Sequence, residues 1–253
     1  MQRSTLASLV AARSVDAHTA ALLWLLTEGG LPVVVTGAAS LSERCAVAAA
    51  IASAIPRRAR VLLDLDADVL TTERLTALLR GGVGLALTIT ALDLRDLLVR
   101  LEHPDIGLPE DAIRRLGMVV VVEHPMRGLR LRSTHYLRPS ERDAQGHIQR
   151  RPPAVLATWD AGTDSFDDFA WGITPELADR VDRSQADFEQ RQRSRGAFLA
   201  ALATRAPLSH EVWEAVAGDH LATEPPRVPA PPREAAKPSP FGGGLIDHEQ
   251  HTH

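Results

Sequence analysis

The chain has 253 residues, 45% of them apolar and 4% aromatic, enough for one real core or one core plus a small satellite domain. Its 28 basic and 32 acidic side chains leave a formal charge of −4, which excludes an overall basic field and, with it, nucleic acid as the expected partner. A single cysteine, Cys45, excludes an intramolecular disulfide framework and fits a reducing cytosol. The opening stretch MQRSTLASLVAARS is too polar for a secretory leader. The longest apolar runs, Ala46–Ile55 and Met118–Val122, fall short of the roughly 20 residues that a membrane span needs. The expectation is a cytoplasmic protein with no direct membrane span, at most peripheral to the inner face of the membrane. The basic residues are almost all arginine, and the sole lysine is Lys237. Chemistry that needs a lysine in the folded part is therefore excluded.

In chain order, Thr5–Gly30 carries apolar side chains at helical spacing and reads as two helices that stop at Gly29-Gly30. Leu31–Thr36 (LPVVVT) is short and β-branched, suiting a buried parallel strand that runs into a loop at Gly37. An alanine-rich helix over Ala46–Ile55 closes at Pro56, a second strand covers Arg60–Leu65, and Thr72–Leu79 is a short helix. Leu85–Ile89 and Met118–Val122 add two apolar strands, with a helix over Asp93–Leu101 between them. Alternation of this kind predicts an α/β fold with a mostly parallel, doubly wound sheet. Leu129–Leu137 and Ala154–Trp159, with turn signals at Asp143–Gly146 and Asp160–Gly162, predict a β-hairpin region. Pro175 to Ala222 reads as a small helical subdomain with charged faces. From Glu224 the sequence EPPRVPAPPREAAKPSPFGGG predicts a flexible, partly polyproline-II tail.

The strand–glycine loop–helix at Val33–Pro56, followed by RVLLDLD, resembles the type II/type IV secretion ATPases, which include the archaellum and pilus motors. GGVGLALTITALDLRDLLVRLE is similar to that family's histidine box and following helix, with Gly81, Gly84, Thr88, Ile89, Ala91, Asp96, Arg100 and Leu101 at matching positions. HPDIGLPEDAIRRLGMVVVVE and PPAVLATWDAGTDSFDDFAW resemble the later segments, so the likeness spans residues 5–222. The resemblance implies a P-loop NTPase-like (RecA-like) core over residues 1–172, a helical subdomain over 173–222 and a Pro/Gly-rich disordered tail over 223–253.

The departures decide what the resemblance implies for activity. In a working phosphate loop, backbone N–H groups cradle the phosphates, a lysine reaches the β- and γ-phosphates and Ser/Thr holds Mg²⁺. Counted from Gly37, those positions hold Ser42, Glu43 and Arg44; counted back from Pro56, they hold Glu43, Arg44 and Cys45. Both registers lack the lysine, Glu43 would repel phosphate, and Arg44 is not a lysine equivalent. Asp64 or Asp66 is the candidate metal-facing carboxylate, Leu65 stands where the glutamate is expected, and the family histidines correspond to Gly82 and Thr90. Against that family, the expectation is a chain that lacks the strand carrying a second acid and the N-terminal domain. The expectation is a catalytically inactive homologue with no cofactor, acting as a structural or regulatory part of a secretion or type IV pilus-like machine. Its partners would be protein components of that machine, including an intact ATPase homologue. The alternative is a divergent ATPase that binds ATP or ADP with Mg²⁺, weakly, through Arg44 and Asp64/Asp66.

Other signals carry less. Asp64, Asp66 and Asp68 resemble a calcium loop, but Val69 stands at its glycine and Leu75 at its bidentate acid. His248, His251 and His253 lie in the tail, and His103, His124 and His135 lack partners at metal-ligand spacing, so they read as surface or structural. Arg127 to Arg151 reads as a solvated face. Arg180–Arg195, interleaved with Asp182, Asp187 and Glu189, reads as a helix with intrahelical ion pairs.

Overall fold

The computed structural model describes residues 4–54, 60–64, 73, 75–77, 84–142, 148–149, 151–205 and 209–231. Two helices, α1 (Leu6–Ala11) and α2 (Ala17–Glu28), precede β1 (Val33–Thr36). They start at the caps Thr5 and Asp16, whose side chains accept N–H bonds from Ser8 and Thr19. α3 (Leu41–Ala52) begins five residues earlier than the alanine run alone suggests, because Ser40 caps it. β2 (Arg60–Asp64), β3 (Gly84–Thr88), α4 (Leu94–Glu102), α5 (Glu110–Arg114) and β4 (Met118–Glu123) follow. Most of the expected helix at Thr72–Leu79 lies outside the described residues.

Among the described residues, the main sheet has seven strands in the order β2-β3-β1-β4, then β5 (Arg130–Tyr136), β8 (Ala154–Asp160) and β9 (Ser165–Asp168). Pairing is parallel from β2 to β4 and antiparallel from β4 onward. The sheet is therefore mixed rather than mostly parallel. The two polar-alternating stretches do pair, β5 with β8, but as a continuation of the main sheet and not as a separate hairpin region. The loop of a few residues between β4 and β5 explains this, since a parallel return needs a crossover of a dozen or more residues. A small separate ladder joins β6 (Glu141–Arg142) to β7 (Ile148–Gln149).

Both faces of the parallel half are covered. Val33, Val35, Met118, Val120 and Val122 pack into one cluster with α1, α2 and α3; Val34, Val119 and Val121 pack into another with Leu97 and Leu101 of α4 and Ile113 of α5. This is why the strands are near-continuous valine runs. The C-terminal helices α6 (Thr174–Arg180), α7 (Gln185–Ala203) and α8 (His210–Thr223) add a further layer on one side. α7 packs against α1 and α2, and Leu177, Phe188, Leu199 and Trp213 belong to the same cluster as the first face of the sheet. α2 is thereby enclosed, and Thr19–Thr27 are all buried, so it is apolar all round rather than amphipathic.

Glu224 is not part of a flexible tail. Its side chain is buried and ion-paired with Arg191 and Arg195, and residues 224–231 run along the body. The arginines of α7 likewise do more than pair within their helix. Asp187 does bridge Arg183 and Arg191 at i,i±4, but Arg195, fully buried, reaches Glu28 of α2 and Glu224, with its guanidinium 4.7 Å from the Trp24 ring centre. Among the described residues, no helix is long and apolar enough to cross a membrane.

Candidate functional site

β1 leads through α3 to β2 across β3, whereas β3 leads through α4 and α5 to β4 across β1. The two crossovers leave in opposite directions, so the crevice beyond the C-terminal ends of β1 and β3 is the topological switch point, where open α/β sheets bind ligands. Gly37, Arg44 and Cys45 meet here with Thr88 and Thr90.

Gly37 turns the chain out of β1 with φ +120°, and a Cβ on it would lie 2.0 Å from the Val122 carbonyl oxygen of β4. Only glycine fits. Its N–H donates to Ala91 O at 2.8 Å, the Thr36 hydroxyl donates to the same oxygen at 2.9 Å, and Ala39 N–H donates to Val122 O at 3.3 Å. At the start of α3, the Ser40 N–H and hydroxyl donate to Glu43 Oε2 at 2.9 and 2.7 Å, while Glu43 N–H donates to Ser40 Oγ at 3.4 Å. The N–H groups of Gly37, Ala39, Ser40 and Glu43 are thus engaged by the chain itself, and the carboxylate of Glu43 sits at the positive end of the helix. The Ser40 hydroxyl, and after it His124, hold Glu43 below the ordinary carboxylate range, against a smaller opposing effect of partial burial than the Ser40 bond exerts.

Arg44, 6% exposed, closes the crevice. Nη1 donates to Gly37 O at 3.2 Å and Ala39 O at 2.7 Å, and Nη2 donates to Thr90 Oγ1 at 2.9 Å, so one guanidinium ties the β1 loop to the β3 loop. Ser42 is exposed on the first turn of α3. Cys45 is half-buried, its Sγ 4.0 Å from Thr88 Oγ1. Asp64 ends β2 in register with Thr88, which places it at the same edge of the sheet, and Asp66 lies outside the described residues. Gly82, at one family histidine position, is also outside them.

His124 reads from the sequence as a surface or structural histidine without partners at metal-ligand spacing, and its Nδ1 pairs with Glu43 Oε1. The available signal was its place directly after MVVVVE, at the C-terminal end of a buried strand in the parallel half of the sheet. Among the described residues, no three His, Cys, Asp or Glu side chains stand together as a metal site. No protein-family model matches the chain, and no curated protein matches it.

Proposed function

We propose that this chain is a P-loop-type protein whose nucleotide crevice has become internal structure, and that it serves as a non-hydrolysing, cytoplasmic component of a secretion or type IV pilus-like machine. The observation that carries the first half is the closure by Arg44: the basic side chain nearest the phosphate-loop position is spent on the loop's own carbonyls and on Thr90. Glu43 at the helix N-terminus adds a charge that repels phosphate, and no lysine occurs in residues 1–236 to replace it. The second half draws on the motif resemblance over residues 5–222. With the crevice filled, such a protein acts through its surfaces, on an intact ATPase homologue and other protein components.

A second reading, a divergent ATPase using Arg44 with Asp64 and Asp66, draws on one observation. The described bonds of the buried Arg44 guanidinium all go to neutral oxygens, and its Nε has no partner, so a phosphate would compensate its charge. Equilibrium binding of ATP and ADP, with and without Mg²⁺, separates the two. The proposal expects no binding up to millimolar nucleotide. Micromolar binding that disappears in Arg44→Ala overturns it in favour of the second reading. For the partner, co-elution with an intact secretion ATPase encoded in the same genome is the expected result, and separate elution at micromolar concentrations of both removes the machine from the proposal.

A further inference from the structure

The stretch after α8 has an order that its composition alone does not explain. Glu224 leaves the helix at φ −67°, ψ 143°, the polyproline-II region. Pro225, Pro226, Pro229 and Pro231 fix their own φ and push the residue before each toward the same extended region. Polyproline II repeats every three residues, so 224, 227 and 230 share one edge. That edge faces the body. Glu224 accepts from Arg195 Nε at 2.7 Å and Nη2 at 2.8 Å; Arg227 Nε donates to Asp182 O at 3.0 Å and its Nη2 to Val181 O; Ala230 is half-buried. The backbone is tied as well, with Val228 O accepting from Ser184 N–H at 2.8 Å and Pro225 O accepting from Arg191.

The other two edges, Pro225/Val228/Pro231 and Pro226/Pro229, are exposed, Val228 by 51%. An internal tie needs only the inward edge. The outward edges carry a Pro-x-x-Pro pair (Pro226, Pro229) on a stretch that its prolines restrict to extended backbone and that the body already holds, which lowers the ordering cost of recognition by an aromatic-lined groove. Glu224 is buried against the body, while Arg227, bonded to the body and 3.2 Å from the Asp182 carboxylate, keeps its side chain 47% exposed between the two prolines of the pair.

We propose that Pro225–Pro231 is a docked, preorganised polyproline-II ligand for a partner protein with an aromatic-lined groove that reads the Pro226–Pro229 pair. The inference stands independently of the nucleotide crevice. The test titrates the full chain into isolated WW, SH3 and EVH1 domains, each first shown to bind its own proline-rich peptide, and follows groove tryptophan fluorescence. Saturable binding by at least one domain is expected. Pro226→Ala/Pro229→Ala should weaken it about tenfold or more, and Arg227→Ala, which keeps every proline but frees the stretch, about threefold. Absence of binding to all three domains overturns the proposal, as does equal binding by the double variant. Thermal denaturation of the same variants tests the competing role: a fall in Tm for Pro226→Ala/Pro229→Ala as large as that for Glu224→Gln would make the prolines an internal tie and overturn the ligand.

Discussion

Two buried arginines organise different parts of this molecule in different ways. Arg44 holds two backbone carbonyls and a threonine hydroxyl, and its effect is to shut a crevice between loops that are neighbours in the sheet. Arg195 holds two carboxylates, Glu28 and Glu224, from segments that only the tertiary fold brings together, and stacks on Trp24. The first arrangement satisfies a cation with neutral dipoles, the second with opposite charge. Glu28 sits at the C-terminal end of α2, where the helix dipole disfavours an anion, and Arg195 and Arg183 offset that cost. A crevice filled by neutral oxygens can in principle be reopened by an anion, while a network of matched charges resists losing any one member.

The sharpest way to break the contrast is at Arg195. Arg195→Ala leaves two carboxylates without their shared partner and should lower stability by about 3–5 kcal/mol, read as a shift of the urea midpoint, while Arg195→Met should recover part of that loss. A loss under about 1 kcal/mol would mean that water reaches the network and that the two arginines are not different in kind. At the crevice the equivalent test is Gly37→Ala. The substitution puts a Cβ against the Val122 carbonyl in a backbone conformation that favours glycine, and a loss of about 2–3 kcal/mol is expected by the same measurement. Wild-type stability in this variant would show that the loop can move away from β4 at little cost.

What the sequence made legible follows the range of each interaction. The valine runs of β1 and β4 and the switch from apolar runs to alternation at β5 are local patterns, and they place the parallel half and the site at its C-terminal edge. The antiparallel continuation was not legible as part of one sheet, because alternation reports a half-buried strand and not the neighbour it pairs with. Arg183–Asp187–Arg191 was readable as i,i+4 spacing, whereas Arg195 with Glu28 spans 167 residues and leaves no local trace. Arg44 was legible as a candidate cation, but its role depends on carbonyls, which every residue carries and no spacing announces. His124 was missed for a related reason: its partner Glu43 is 81 residues away.

The smallest expected effect tests whether the anion at the start of α3 acts by its charge. Ser40 both accepts from Glu43 N–H and donates to the Glu43 carboxylate, so Ser40→Ala should cost about 1 kcal/mol at pH 7, the ordinary loss for a helix cap. Because Glu43 is held below its ordinary value of 4.5, its contribution is complete above that pH and is lost as the pH falls through the lower folded value. The difference in stability between wild type and Ser40→Ala, from urea titrations between pH 7 and pH 3, should therefore stay level down to about pH 5 and then shrink. A difference that stays level to pH 3 would assign the cap to the bond between Glu43 N–H and the Ser40 oxygen alone. The Glu43 carboxylate would then stand at the helix end without acting as a substitute for a bound anion, and the crevice would owe its closure to Arg44.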